Sequence, residues 1–302
     1  MESLLKWAIL NSATANEDAP TRDPSQPAPK QQKLDPEIID MILGKPASVQ
    51  MTECLDATEH TSTPLPARII ALDDLEMLVE NIDNAGNLGP LQLWPRLIKL
   101  YNDPEAEIRS HALWVSGTAV QHNPSAQKVF PGLAAALELL RADSDMGVRA
   151  KALYCVSSFV RANVAGLTKF VALNGLEAVL GAVQVGDVAL AQKGFFLLRA
   201  LIDEAMDEET PEELRPGQML VDAVLELGAV EVAARAIAQW ESLAVLSQAL
   251  GFVRALAEAT LAAREAVAGN AELRSALEEA RKRDSAGDEE REEIDAILGL
   301  IR

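Results

Sequence analysis

The side chains best able to do covalent or metal chemistry are few, and their spacing does not assemble them. The only histidines are His60, His111 and His122, and the only cysteines are Cys54 and Cys155. His111 and His122 share a helical stretch, yet they stand 11 apart and no third ligand completes a set with metal-binding spacing. The carboxylates Asp73 and Asp74 are adjacent, so on a helix they point to different sides rather than at a shared substrate. No Gly-x-Ser-x-Gly, His-Glu-x-x-His, phosphate-loop or dinucleotide fingerprint occurs. The chain therefore reads as a binding protein rather than an enzyme, with no metal and no cofactor.

Side chains suited to recognition are better represented. Trp114, Thr118 and Gln121 fall at i, i+4 and i+7, which is one stripe of a helix. The stripe recurs as Tyr154, Ser158 and Arg161, and again as Phe196, Ala200 and Asp203. Ala112, Val115 and Ala119 form a second stripe, suited to packing between helices. Aromatic residues and Arg anchor interfaces, so the first stripe is assigned to an inner, partner-facing surface. Packing between repeats is the competing role for the same aromatics.

The element that must position these side chains is a repeat. Asp103 to Phe130 returns as Asp143 to Phe170, with Arg109 and Arg149, Ala112 and Ala152, Asn123 and Asn163, and Phe130 and Phe170 each 40 apart. Arg68, Ala71 and Val79 lie 41 before Arg109, Ala112 and Val120, which predicts an earlier copy in one helix running from Thr63-Pro64 through 88. Lys193 lies 42 after Lys151, and Arg254 lies 55 after Arg199, the extra length being an acidic insertion at 203–216. A helical period near 40 marks units that bury their apolar faces only by stacking. Each unit is expected to hold a short lead helix, entered near Gly132, Gly175 or Gly228, and then a longer one.

Around the repeats, residues 1–34 read as a flexible segment with a short amphipathic start (Leu4, Leu5, Trp7) and a linker rich in Pro and Gln. Residues 35–62 read as a helical cap opened by Asp35-Pro36, 63–262 as the repeats, and 263–302 as a charged helical cap. The fold class is all-α, a right-handed superhelical solenoid of stacked helical repeats. The net charge of −19 argues against nucleic acid or an anionic membrane as partner. Two distant cysteines, no long apolar run and no signal-peptide pattern leave the cytoplasm or the nucleus, of which the cytoplasm is the expectation.

The unit resembles the armadillo repeat, with a long helix of the form Ala-Leu-Trp. The Asn ladder by which such proteins grip extended peptides is replaced here by Thr118, Ser158 and Ala200, against a peptide carrier. MESLLKWAILNSA, the Pro/Gln linker, LDPEIIDMILG and ALDDLEMLVENIDNAGNLGPLQLW are together similar to the Fes-one and Hsp-binding-protein family, in a form resembling its fungal members. These are armadillo-type nucleotide exchange factors for the seventy-kilodalton heat-shock chaperone, Hsp70. The resemblance covers Met1 to about residue 260. It implies that the solenoid acts as a monomer and embraces one lobe of the chaperone's nucleotide-binding domain, promoting ADP release and then client release. It further implies that Ala85 is a contact, with Glu80, Asn81, Asp83 and Asn84 around it. Lys193 would supply a basic contact that family members often make with Arg, and the N-terminal segment would help free client polypeptide. An armadillo scaffold for another partner is the alternative.

Overall fold

The structure, a computed structural model, describes residues 44–60, 62–207 and 217–302. The expectations for Leu4, Leu5 and Trp7, for the linker, for the helix opened by Asp35-Pro36 and for most of the acidic insertion lie outside the described residues. The chain divides into two units, 1–50 and 51–302. Of the first, residues 44–50 are described: a turn at Gly44, with φ +71°, and the opening of helix α1 (Ala47–Glu59).

In the second unit the described residues form helices and no strands. The repeat holds three helices, not the two expected, because a further short helix precedes each lead helix. Long helix α2 (Leu65–Val79) is followed by α3 (Ile82–Asn87), α4 (Leu93–Lys99) with a 3₁₀ turn, and long α5 (Ala106–Val120). The pattern continues with α6 (Pro124–Val129), α7 (Leu133–Ala142) and long α8 (Met146–Val160). Next come α9 (Val164–Ala172), α10 (Gly175–Val183) and long α11 (Val188–Met206). Two more triplets close the chain: α12 (Gly217–Glu226), α13 (Ala229–Gln239) and α14 (Leu243–Ala259), then α15 (Leu261–Gly269), α16 (Ala271–Lys282) and α17 (Asp288–Leu300). Long helix packs on long helix in chain order, α2 on α5, α5 on α8, α8 on α11, α11 on α14 and α14 on α17.

The 40-residue repeat acquires physical reasons. Asn123 and Asn163 are N-caps whose side chains accept from Ala126 N and Gly166 N, at 3.2 and 3.0 Å. The residue before each, His122 and Ala162, has φ +51°, the left-handed turn that folds a short helix back from a long one. Arg68 pairs with Asp103, and Arg109 repeats this one unit later on Asp143 with Nε to Oδ2 at 2.8 Å. Each pair ties the start of one long helix to the residue that precedes the next. The expected interior stripe is observed: Ala112, Val115 and Ala119 are fully buried. Small residues there let α5 lie close to α2 and α8. Phe130, from the repeated position, packs against Trp94 and Phe159 at ring distances of 5.0 and 5.3 Å.

Two boundaries differ from expectation. The stretch from 63 to 88 is not one helix, because α2 ends at Val79 and Asn81 starts α3. The acidic insertion begins later than 203, because α11 continues through Met206, with Ala205 buried.

Candidate functional site

The break after Val79 builds the first part of the site. Asn81 takes extended backbone, and its Oδ1 accepts from Asp83 N and Asn84 N at 3.0 and 3.3 Å. An Asn N-cap supplies the acceptor that a helix start lacks, and it ends the preceding helix as it does so. Asn84 Nδ2 then donates to Leu78 O at 2.9 Å, closing the turn. Glu80, Asn81 and Asp83 are exposed, whereas Ala85 is 1% exposed and belongs to the core. The expected role of Ala85 as a direct contact is therefore corrected: it seats α3, and the residues that can reach a partner are its exposed neighbours.

The second part lies on the long helices. Trp114 on α5 and Tyr154 on α8 are half-buried, and Phe196 on α11 is 44% exposed. Lys151 Nζ sits 3.6 Å above the Trp114 ring and 5.8 Å from that of Tyr154, a cation–aromatic contact favoured where water is partly excluded. Burial, and after it the neighbouring Lys193, hold the Lys151 ammonium below the usual lysine range, against the opposing pull of Glu76 and Asp73. Thr118 and Gln121 join Tyr154 in a hydrogen-bonded group, with the Thr118 hydroxyl donating to Glu76 Oε1 at 2.7 Å. His111 Nε2 lies 3.2 Å from Asp73 Oδ1.

The structure thus joins Trp114, Thr118, Gln121 and Tyr154 in one contact network. Lys193 and Phe196 extend it onto α11, where the Arg161 guanidinium lies 5.3 Å from the Phe196 ring. Ser158 is buried, at 8% exposure, and is not available to a partner. Two participants, His111 and Lys151, were not assigned to the partner face from the sequence, although their signal was present. A basic residue or histidine stands three before the aromatic in the three copies that carry one, as His111 before Trp114, Lys151 before Tyr154 and Lys193 before Phe196. That spacing places the cation one helical turn from the ring. Glu76, on the acidic side of α2, has no such spacing.

Among the described residues no group of three His, Cys, Asp or Glu side chains could hold a metal ion, and no single helix is long and apolar enough to cross a membrane. Burial pushes the Cys155 thiol up to about 12, and burial together with Asp74 and Glu53 pushes Cys54 up to about 11. Neither thiol is activated as a nucleophile. The arrangement can recognise a surface through aromatic faces, ammonium groups and carboxylates.

Comparison with known proteins gives the same outline. Residues 1–88 match the family described as nucleotide exchange factor Fes1, and residues 81–219 match the SIL1/FES1/HPBP1 C-terminal domain. The chain is 37% identical over 211 residues to the Hsp70 nucleotide exchange factor FES1 of Mycosarcoma maydis, which covers 67% of this chain and about half, 54%, of that protein. It is 36% identical over 206 residues to fes1 of Schizosaccharomyces pombe, covering 67% and 69%. The FES1 of Candida glabrata is 30% identical over 239 residues, covering 76% and 79%. Among solved structures, a designed armadillo repeat protein in complex with the peptide (KR)4 superposes with a TM-score of 0.66 at 15% identity, covering 83% of this chain and 99% of that one. A second designed armadillo repeat protein gives 0.63 at 13% identity. At such identity the likeness shows the armadillo-like fold alone.

Proposed function

The chain belongs to the Fes1 family of nucleotide exchange factors, and from that membership we propose that it is an Hsp70 co-chaperone that promotes ADP release. Its partner is the nucleotide-binding domain of a cytoplasmic Hsp70, which it meets as a monomer through the faces of α2, α5, α8 and α11. The observation that carries this reading to particular residues is the run of ring and cation pairs along successive long helices, with Lys151 over Trp114 at 3.6 Å and Phe196 exposed on the next helix. Half-buried aromatics flanked by charge are the residue types that dominate binding energy. The turn residues Glu80, Asn81, Asp83 and Asn84 extend the contact at the α2–α3 end.

The mechanism needs no catalytic residue, cofactor or nucleic acid. A solenoid that binds the chaperone lobe better when it is displaced than when it is closed on nucleotide weakens nucleotide by the same factor. A thousandfold loss of ADP affinity corresponds to about 4 kcal/mol of differential binding. Two or three hot spots of about 2 kcal/mol each supply that. Residues 1–34, with Leu4, Leu5 and Trp7, act separately in freeing client polypeptide.

Because linkage is reciprocal, calorimetry with the isolated nucleotide-binding domain tests the reading. Binding is expected to be tight without nucleotide and much weaker with saturating ADP. Equal affinity under the two conditions would contradict it.

A further inference from the structure

A chain of polar groups crosses three successive long helices at the centre of the partner face. Glu76 on α2 is 8% exposed, and its Oε1 takes the Thr118 hydroxyl proton at 2.7 Å. Thr118 Oγ1 lies 3.2 Å from the Tyr154 hydroxyl of α8, which is also 3.2 Å from Gln121 Oε1. Tyrosine has one proton to give, so it is shared between Gln121 and Thr118, while the threonine proton is committed to Glu76. Gly117 permits the arrangement. A Cβ there would stand 2.5 Å from Tyr154 Cε1 and 3.1 Å from Cys155 Cα, so the ring rests on the bare backbone of α5.

An apolar residue of Glu76's size would fill the same space without the desolvation cost of a buried carboxylate. Such a network adds direction, because hydrogen bonds weaken steeply with misalignment whereas apolar contacts tolerate sliding. In a stacked array each interface is set by its neighbours alone, so a strap at α2–α5–α8 fixes those two interfaces locally. The strap is not repeated at the α8–α11 interface, where Phe196 has no hydroxyl in the place of Tyr154 and Ala200 none in the place of Thr118.

We propose that Glu76, Thr118 and Tyr154 are positioning residues, a strap that holds α2, α5 and α8 at fixed spacing and thereby creates the discrimination between chaperone states on which nucleotide release depends. The inference rests on the exchange-factor reading above. A face able to follow the lobe as it closes on nucleotide binds both states alike, and equal affinity shifts no equilibrium however tight it is. A face held rigid keeps its full contacts with the displaced state only.

The test is a pair of dissociation constants, for nucleotide-free and for ADP-bound Hsp70, measured with the full chain and with Thr118→Val, Tyr154→Phe and Glu76→Gln. Thr118→Val keeps the side-chain shape and removes the donor to Glu76. Tyr154→Phe is the gentler variant should the first fold poorly, and Glu76→Gln keeps an acceptor for Thr118. For Thr118→Val and Tyr154→Phe, the ratio of the two constants is expected to fall about threefold to tenfold, the scale of one net hydrogen bond. The fall should come from affinity for the ADP-bound form rising relative to affinity for the nucleotide-free form, whatever contact each variant loses at the face itself, with maximal ADP release slowed in parallel. Glu76→Gln should retain the wild-type ratio. Equal weakening toward both forms, or an unchanged ratio, overturns the strap. A wild-type ratio of one marks failure of the exchange-factor reading itself, before any variant is measured.

Discussion

Along α2, α5 and α8 the long helices are joined by a carboxylate, hydroxyls and a lysine over an indole. Along α11, α14 and α17 the equivalent positions open into a cleft of about 500 Å³ lined by Arg199, Gly251, Arg254, Glu258 and Glu293. The aromatic run Trp114, Tyr154, Phe196 ends at Gly251, by the 55-residue offset of that copy. The Arg199 guanidinium lies where a ring would stand, and a Cβ on Gly251 would meet its Nη1 at 2.7 Å. Charges here are spent on one another: Arg254 pairs with Glu258 and Glu293 at 2.9 and 2.8 Å, and Arg199 with Asp203 at 3.4 Å. One repeat architecture thus carries two surfaces, the first joined between helices by part-buried hydroxyl and carboxylate hydrogen bonds, the second by more exposed ion pairs, of which Arg254–Glu293 crosses from α14 to α17. The match to the SIL1/FES1/HPBP1 domain ends at 219, in α12, after α11 and before α14.

The most disruptive way to probe this contrast is at Ala85, which lies in the core beside the first surface. Ala85→Arg buries bulk and charge together and is expected to cost about 3 kcal/mol or more, read as a lower urea midpoint. A variant that keeps wild-type stability and loses only chaperone binding would return Ala85 to the contact surface.

A sharper comparison uses one substitution in both halves. Gly117→Ala meets the Tyr154 ring and the Cys155 backbone, which cannot yield, and is expected to destabilise by about 1–3 kcal/mol. Gly251→Ala meets only the end of a flexible arginine, so the gain in helix propensity leaves stability within about 1 kcal/mol of wild type or above it. Equal losses at the two sites would remove the distinction.

The smallest effects are electrostatic. Asp143 is pushed up by burial, but its hydrogen bonds from Arg109 and the Asp145 backbone outweigh that and hold it below the usual aspartate range. A depressed carboxylate stabilises the fold above its unfolded-state pKa, and that contribution is lost as pH falls through the folded value. Arg109→Ala should therefore lower stability at neutral pH and flatten the acid limb of the stability profile. Arg254→Ala, at an exposed pair, should change stability by less than about 0.5 kcal/mol at neutral pH. Equal losses from the two arginine variants would show that burial does not separate the two sets of pairs.

Much of this architecture is legible in the chain. The offsets of 40 to 42 locate α2, α5, α8 and α11, and the stripe of Ala112, Val115 and Ala119 gives their buried side, because backbone periodicity and burial both repeat with the unit. The family is likewise legible at both ends of the match, in the opening LLKWAI and in ENIDNA. What repetition hides are groups that differ between copies. Glu76 occupies the place held by Gly117 in α5 and Ser157 in α8, so no alignment of copies marks it as half of a hydrogen bond. Ala85 carries a related lesson: resemblance identified the segment, yet its side chain's direction follows from Asn81 ending α2, a local capping event that helical periodicity overruns.

The central claim is tested most directly by stopped-flow release of a fluorescent ADP from purified Hsp70. With micromolar protein the off-rate should rise steeply and saturate, and the effect should survive deletion of residues 1–34. An off-rate that stays at its unassisted value across the titration would contradict the account.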